Sequence, residues 1–244
     1  MLPEHVQTVF RAPYFEEISG QPEKMNDRFW TVFSSGDNYF IDTLYPRSSS
    51  LKRSVLRFSF RSPVWELWVE NAELPADPME YPLDGLILYY LTAMRGDIMI
   101  HASGINHSGK GFLFSGISGK GKSTMAGIWN RKGALVIHDD RLIVKKAGNG
   151  FRIFNTPVYI GEIPQESALD KIFIIEHGTK NEILPLTGAS AISLVLANCI
   201  QHNWSPQIVS GLLASVSDLC STVPVARLFF KPDTSVADLI MRDE

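Results

Sequence analysis

The residues best suited to chemistry form one glycine-rich segment, residues 116–123, with the sequence GISGKGKS. It matches the spacing G-x-x-x-x-G-K-[ST], in which glycines let successive backbone amides curl around anionic oxygens. In this pattern Lys122 reaches the outer phosphates of a nucleotide, and the hydroxyl of Ser123 binds Mg²⁺. An apolar run precedes the segment and an amphipathic one follows it, as a strand and a helix would. We therefore expect a phosphate-binding loop rather than a glycine-rich surface turn.

The residues expected to contact the nucleotide belong to this segment and to the first turn of the helix after it. The N-terminus of that helix adds a partial positive charge that favours phosphate. The predicted contacts are Gly116, Ser118, Gly119, Lys120, Gly121, Lys122, Ser123 and Thr124.

Two adjacent carboxylates, Asp139 and Asp140, close the apolar run ALVIHDD, which we predict to be a buried strand that ends at this pair. Phosphoryl transfer requires charge neutralisation and a residue that orients the attacking oxygen. Successive side chains on a strand point in opposite directions, so one carboxylate can face a metal while the other faces an acceptor. A solvated acidic turn is the alternative, and the position one strand after the glycine-rich segment makes it less favoured.

One histidine, His101 in the run IMIHASG, lies on the predicted strand before the glycine-rich segment. A histidine on an apolar strand is by itself more often a core residue than a functional one. The histidines that follow His101 in the chain have no evident partner, and we expect them to be structural. They are His107, His138, His177 and His202.

The elements that must position these residues differ between the two parts of the chain. The first eighty residues hold four aromatic and β-branched runs separated by turn residues, which is typical of antiparallel strands. The proline-rich stretch ELPADPMEYP follows, and a helical run then ends at Gly96. Beyond it, apolar strand patterns and helical patterns are interspersed, and the last helix is expected to be capped by Thr234 or Ser235. We predict a β-rich N-terminal region at 1–80, a nucleotide-binding domain at 81–244, and the α/β class.

Composition excludes several classes of function. A net charge of −3 and an isoelectric point near 6.1 argue against nucleic acid as a partner. The longest apolar stretches are too short to cross a membrane, and the start of the sequence lacks the pattern of a secretory signal. We therefore expect a cytoplasmic protein with no membrane partner. The two cysteines, Cys199 and Cys220, are predicted to be reduced and partly buried.

The order and spacing of His101, Gly116, Lys122 and Asp140 resemble the catalytic half of bacterial HPr kinase/phosphorylase. The similarity covers roughly residues 97–145. That family has a P-loop fold related to phosphoenolpyruvate carboxykinase, so the resemblance implies a P-loop kinase domain of the phosphoenolpyruvate carboxykinase-like type. The parent enzyme is a hexamer, which makes self-association an open expectation.

The resemblance also implies roles for individual residues. Lys122 would contact the transferring phosphoryl group, Ser123 would help hold Mg²⁺, and Asp139 would lie near the metal. Asp140 would act as general base toward a hydroxyl acceptor, and His101 would lie beside the γ-phosphate. The implied cofactors are ATP and Mg²⁺.

The sequence departs from the family at three places, one of which is the later basic loop with its arginine: it has no counterpart here, since Arg227 lies within a predicted strand. The family's loop continues as Ser-Glu, where this chain has Ser123 and Thr124. The family's glutamate-isoleucine-arginine-glycine signature, which supplies a metal-binding glutamate, has no counterpart here. Glu162 in the run GEIP is the nearest substitute and is the third predicted metal ligand, with an exposed loop acid as the alternative.

The leading hypothesis is an ATP-dependent, Mg²⁺-requiring kinase acting on a hydroxyl of a protein, a peptide or a small molecule. The alternative is a nucleotide-binding module or sensor without chemistry, motivated by the missing glutamate signature. Carboxykinase chemistry on oxaloacetate would need further metal ligands and basic residues, and an ABC-type or switch-type NTPase would need signatures that this sequence lacks. The identity of the acceptor and the occurrence of phosphorolysis stay open.

Overall fold

The structure of the protein is a computed structural model that describes residues 2–11, 29–45, 51–70, 77–157 and 163–243. Within these ranges the chain forms thirteen strands and five helices, so the mixed α/β prediction is confirmed. The chain divides into two compact units, Met1–Leu91 and Thr92–Glu244. None of the helices in the described ranges is long and apolar enough to pass through a lipid bilayer.

The N-terminal unit is built on a five-stranded antiparallel sheet whose strands follow one another in chain order. The four predicted strands are present, and one further strand precedes them. Phe58 is buried at the centre of an aromatic cluster, where its ring centroid lies 4.9 Å from that of Tyr90 and 5.1 Å from that of Trp65. The strands are β1 (Gln7–Arg11), β2 (Trp30–Ser35), β3 (Asn38–Leu44), β4 (Arg53–Phe58) and β5 (Glu66–Glu70).

The helix α1 (Leu83–Met94) links the two units along the chain. It is followed by Gly96 at a φ of 72°, the left-handed conformation in which glycine commonly ends a helix. The predicted stop at Gly96 is therefore confirmed.

The second unit contains an eight-stranded mixed sheet. Three adjacent strands, β7, β11 and β13, run parallel and end at the same edge, and the remaining neighbours pair antiparallel. The spatial order is β10-β9-β8-β6-β7-β11-β13-β12. The strands are β6 (Ile98–His107), β7 (Lys110–Ser115), β8 (Leu135–Ala147), β9 (Gly150–Asn155), β10 (Glu166–Ala168), β11 (Lys171–His177), β12 (Glu182–Leu186) and β13 (Val225–Phe230).

Four helices accompany this sheet: α2 (Lys122–Arg131), α3 (Gly188–Ala197), α4 (Pro206–Thr222) and α5 (Ser235–Arg242). Two separate apolar clusters result. One joins α2 and α5 to the sheet around the fully buried Trp129, and the other joins α3 and α4 to it around Val195 and Val216. Neighbouring residues of β7 alternate between the two clusters, with Leu113 in one and Phe112 and Phe114 in the other, so the clusters lie on opposite faces of the sheet.

The strand β8 is longer than the sequence indicates. We predicted one strand ending at Asp139 and Asp140 and a second strand after it, whereas β8 runs through both carboxylates without a break. The prediction that the pair ends a strand was therefore wrong. The reason is that pairing with β6 continues across the pair, through Ala102 opposite Asp140 and His101 opposite Arg141.

The helix α5 begins at the predicted place. Thr234 occupies the N-cap position but its side chain makes no capping hydrogen bond, and the carboxylate of Asp233 accepts from the backbone N–H of Ser235 at 2.9 Å.

Cys199 and Cys220 are both free, as predicted. Burial raises the pKa of the Cys199 thiol to about 12 and that of Cys220 to about 11, so both are neutral at pH 7.

The closest backbone approach in this sheet gives a prediction about stability. A Cβ atom at Gly111 would lie 1.7 Å from the carbonyl oxygen of Ala168, so Gly111→Ala must displace backbone. We expect the free energy of unfolding to fall by about 3 kcal/mol or more, measured by urea denaturation. Gly150→Ala is the matched control, because a Cβ there meets nothing within 4 Å. Equal stability of the two variants would contradict this packing.

Candidate functional site

The glycine-rich segment joins the buried end of β7 to the start of α2 in a conformation that demands glycine. Gly119 and Gly121 adopt φ values of 80° and 93°, which side chains with a Cβ rarely adopt. Gly116 is buried, and a Cβ there would lie 3.0 Å from the carbonyl oxygen of Ile175. The three motif glycines are therefore required by geometry, which favours the loop interpretation over a simple turn.

The first turn of α2 is suited to an anion. Its N-cap, Gly121, has no side chain to cap the helix, and no acidic residue lies in the first turn. The amide of Met125 donates to the Gly121 carbonyl at 2.9 Å, which leaves the preceding amides outside the helical hydrogen-bond pattern. Ser123 and Thr124 are exposed in this turn. Such a helix terminus attracts phosphate through its amides and its dipole.

Lys122 folds back over the glycine-rich segment. Its side chain is buried, and Nζ donates to the carbonyl oxygens of Gly116 at 2.8 Å and Ile117 at 3.4 Å. Burial lowers the pKa of Lys122, and the charges of Asp139 and Asp140 partly offset that effect. Both carboxylates therefore lie within electrostatic reach of the ammonium group that the motif assigns to phosphate.

The register of the sheet brings Asp140 level with the start of the segment. Ala102 on β6 pairs with Ser115 at the end of β7 and, on its other side, with Asp140 on β8. The hydroxyl of Ser115 also donates to the His101 carbonyl at 2.8 Å, which ties β7 to β6 at this level. Asp140 and the residue before Gly116 are thus separated by a single strand.

Asp139 projects toward α2. It pairs with Ser103, which on its other side pairs with Phe114, and residues directly opposite in antiparallel strands share a face. Phe114 packs against Trp129 of α2, so this face is the α2 face. The buried hydroxyl of Ser103 donates a hydrogen bond to Oδ1 of Asp139 and orients that carboxylate.

Asp140 is held by two cationic or polar neighbours. Nε2 of His101 lies 3.4 Å from Oδ1, and Nε of Arg141 donates to Oδ2 at 3.0 Å. The hydrogen bond from His101, supported by Arg141, lowers the pKa of Asp140 despite partial burial. The group is therefore ionised at neutral pH and can accept a hydrogen bond from a hydroxyl.

Asp139 and Asp140 are accessible because the neighbouring strand β9 does not extend along them. β9 pairs with β8 only from Leu142, which lies opposite Asn155. Among the described residues no strand covers the outer side of β8 before that point. Asp139 is exposed and Asp140 partly exposed as a result.

The predicted site residues in the described part of the chain come together at one edge of the sheet. They are His101, Asp139, Asp140 and the glycine-rich segment with Thr124. Glu162, the third predicted metal ligand, lies outside the described residues. No group of three or more His, Cys, Asp or Glu side chains within the described ranges lies close enough to hold a metal ion by itself. A hydroxyl and a carboxylate oxygen, Ser123 and Asp139, are nevertheless the ligand types that Mg²⁺ accepts alongside phosphate oxygens.

Three residues of the site escaped sequence reasoning: Ser103, Arg141 and His177. Ser103 and Arg141 could have been found from the sequence. Ser103 is two positions after His101 on the same face of a predicted strand, and Arg141 directly follows the acid pair. His177, which we expected to be structural, ends β11 with its Nε2 2.9 Å from the carbonyl oxygen of Gly119. Only the pairing of β11 with β7 could have revealed this contact.

The other three histidines that we expected to be structural make no contact with the glycine-rich segment that the structure describes, although Nδ1 of His138 accepts a hydrogen bond from the backbone N–H of Arg141 at 3.3 Å. The ring of His107 packs 5.3 Å from that of Trp129, and His138 is buried. Burial lowers the pKa of His202 to about 4, so it is neutral at pH 7.

Comparison with known proteins adds little to the geometry. No protein-family model matches the chain, and no curated protein matches it. Among solved structures, the Hpr(Ser) kinase/phosphatase from Coxiella burnetii aligns with a TM-score of 0.39 and 13% sequence identity. That alignment covers 59% of this chain and 94% of the other. A likeness this distant does not define the family.

Crowding at the N-cap of α2 gives a prediction about the segment. A Cβ at Gly121 would lie 2.8 Å from Cζ of the buried Phe230, at a φ of 93°. We expect Gly121→Ala to lower the free energy of unfolding by about 1–3 kcal/mol and to weaken binding of Mg·ATP, measured by denaturation and calorimetry. Gly127→Ala, in the interior of α2, should instead stabilise by about 0.5–1 kcal/mol, because its Cβ has room. A Gly121→Ala protein with unchanged stability and affinity would contradict the geometry.

Proposed function

We propose that the protein is an ATP-dependent, Mg²⁺-requiring kinase that transfers the γ-phosphoryl group of ATP to a hydroxyl, in the manner of HPr kinase. The proposal rests above all on one observation: Asp140 is one strand away from the start of the glycine-rich segment, at the same level of the sheet. A phosphate loop and an ionised carboxylate at that separation are the two parts that phosphoryl transfer to a hydroxyl requires.

In this proposal the glycine-rich segment binds the phosphates. The ammonium group of Lys122 leaves the carbonyls of Gly116 and Ile117 and donates to the β- and γ-phosphate oxygens. The hydroxyl of Ser123 and the carboxylate of Asp139 would hold Mg²⁺, with the orientation of Asp139 maintained by Ser103. When bound, Mg²⁺ neutralises charge on the phosphate oxygens.

Asp140 receives the acceptor. Its carboxylate accepts a hydrogen bond from the acceptor hydroxyl, whose oxygen forms a bond to the γ-phosphorus as the bond to the β–γ bridging oxygen breaks. ADP leaves with that oxygen and its electron pair, and the hydroxyl proton passes to Asp140. His101 and Arg141 keep the carboxylate in place and near the γ-phosphate.

A second function, a nucleotide-binding module or sensor without transfer, is favoured by one observation. His101 and Arg141 both engage Asp140 and lower its pKa, and a carboxylate with a lowered pKa is a weaker proton acceptor. In this case the segment would bind ATP, and the acid pair would serve metal binding alone.

The experiment that separates the two functions uses ATP labelled in the γ-phosphate. The purified full chain is incubated with Mg²⁺, labelled ATP and a cell extract, and labelled macromolecules and small molecules are resolved. A labelled acceptor whose phosphate is stable to acid and is released by base, as a serine phosphate ester is, supports the kinase. Binding of ATP by calorimetry without any labelled acceptor supports the module, and absence of ATP binding overturns both.

A further inference from the structure

His177 lies beside the glycine-rich segment because β11 continues past the end of β7. The two parallel strands pair as far as Ile174 opposite Ser115, where β7 ends. β11 extends three residues further to His177, and β13 accompanies it as far as Phe230, the partner of His177 in the register. The C-terminal ends of these two strands therefore lie along one side of the segment, opposite the side that faces β6 and β8. We call this surface the wall.

The wall contacts the segment at both of its left-handed glycines. Nε2 of His177 lies 2.9 Å from the carbonyl oxygen of Gly119, and a carbonyl can only accept, so Nε2 carries the hydrogen and donates. The His177 ring stacks on Phe230 with 6.1 Å between ring centroids, and Cζ of Phe230 is the atom closest to a Cβ built at Gly121. One aromatic pair therefore restrains both backbone positions that deviate from ordinary conformations.

The segment needs such a restraint because glycine is costly to order. Gly119 and Gly121 lose more backbone freedom than any other residue type would, and a Cβ at Gly119 would touch nothing within 4 Å. From the other side the segment is held by Lys122, through the carbonyls of Gly116 and Ile117. When Lys122 turns to phosphate those bonds are lost, whereas the bond from His177 can persist.

We propose that His177 is a positioning residue for nucleotide binding: its imidazole fixes the Gly119 carbonyl and thereby keeps the amides of the segment aimed at the phosphates before the nucleotide arrives. This inference rests on the proposed function, in that the segment is taken to bind nucleotide phosphates. Holding a loop in its bound conformation raises affinity because less ordering remains to be done on binding.

The test compares two substitutions in the purified full chain. His177→Phe keeps an aromatic ring against Phe230 and removes the donor, and His177→Gln keeps a donor with similar reach. Dissociation constants for Mg·ATP and for magnesium tripolyphosphate, which has no nucleoside, are measured by calorimetry. Amide hydrogen exchange of residues 116–124 and thermal unfolding are followed without ligand.

We expect His177→Phe to weaken both ligands by about fivefold to tenfold, the range for loss of one hydrogen bond. Exchange of the segment amides should accelerate in the same variant, and His177→Gln should restore affinity to within about threefold of the wild type. His5→Phe, the same exchange at an exposed histidine in the N-terminal unit, is the control and should change neither quantity.

The outcomes separate this inference from the proposed function. Wild-type binding of both ligands with unchanged affinity in His177→Phe overturns the role of His177 and leaves the kinase proposal standing. A lowered midpoint of thermal unfolding with unchanged affinity and exchange would make His177 a stabilising residue only, which also overturns the role. Failure of the wild type to bind either ligand overturns both proposals.

Discussion

Replacing Lys122 with alanine is expected to reduce phosphoryl transfer by about 10²–10³-fold and to weaken Mg·ATP binding, while the protein stays folded. In the proposed function the ammonium group is a donor to the transferring phosphoryl group, and removal of a single preorganised donor to a developing charge typically costs about 10²–10³ in rate. Here the same donor also binds the ground-state phosphates, so KM for ATP should rise as well as kcat fall.

The stability half of this expectation follows from burial. The pKa of Lys122 is lowered in the folded protein, so its charged form is less favourable there than in the unfolded chain. Below the folded pKa the lysine is charged in both states and the cost of burying that charge opposes folding, so alanine removes this disadvantage. Thermal unfolding and activity are measured side by side, with Lys145→Ala as a control at an exposed lysine on β8. A Lys122→Ala protein with wild-type turnover would exclude a phosphate role for this lysine, whereas an unfolded one would show that its two carbonyl contacts are structural.

The glycine-rich segment could be predicted from the sequence because the residues of its motif are contiguous. The positive φ of Gly119 and Gly121 and the position of Lys122 at the start of a helix belong to eight consecutive residues. Hydrophobic patterning likewise gave the strands β2–β5 and the helices α1–α5. Such local signals act through residues that are neighbours in the chain.

The surroundings of the segment could not be predicted in the same way. Ser103, Asp139 and Phe114 share a face only because β6 pairs with β7 on one side and with β8 on the other. His177 reaches Gly119 across 58 positions through the parallel pairing of β11 and β7. Strand register is set by long-range packing, which one sequence does not disclose.

The error at the acid pair has the same origin. The run Asp139-Asp140-Arg141 looks like a strand end because charged residues usually mark the point where a strand meets solvent. β8 continues because β6 supplies hydrogen-bond partners on one side, while β9 stops at Leu142 and exposes the pair on the other. Asp139 and Asp140 are therefore exposed in the middle of a strand rather than at its end, and an acceptor can still reach them.

Asp140→Asn is expected to retain Mg·ATP affinity within about threefold and to lose about 10²–10⁴ of the transfer rate, the usual contribution of a general base. Asparagine has the shape of aspartate but neither accepts the hydroxyl proton nor carries the charge that His101 and Arg141 hold. Single-turnover transfer and calorimetry measure the two quantities separately. Asp218→Asn is the matched control and should leave both unchanged, because Asp218 lies on α4 and pairs with Lys146 of β8.

Asp140→Asn should also change how the stability of the protein depends on pH. Replacing an aspartate without charged partners would not have this effect. The pKa of Asp140 is lowered in the folded state, so its contribution to stability is present above the unfolded pKa of about 3.9 and disappears as the pH falls through the folded value. Asp140→Asn should therefore be less stable than the wild type near pH 7, with the gap in unfolding midpoint closing below about pH 4. A gap that stays constant down to acidic pH would mean that His101 and Arg141 do not hold an ionised carboxylate. Transfer at the wild-type rate by Asp140→Asn would show that another group orients the acceptor hydroxyl. The role of the segment in nucleotide binding would then still stand.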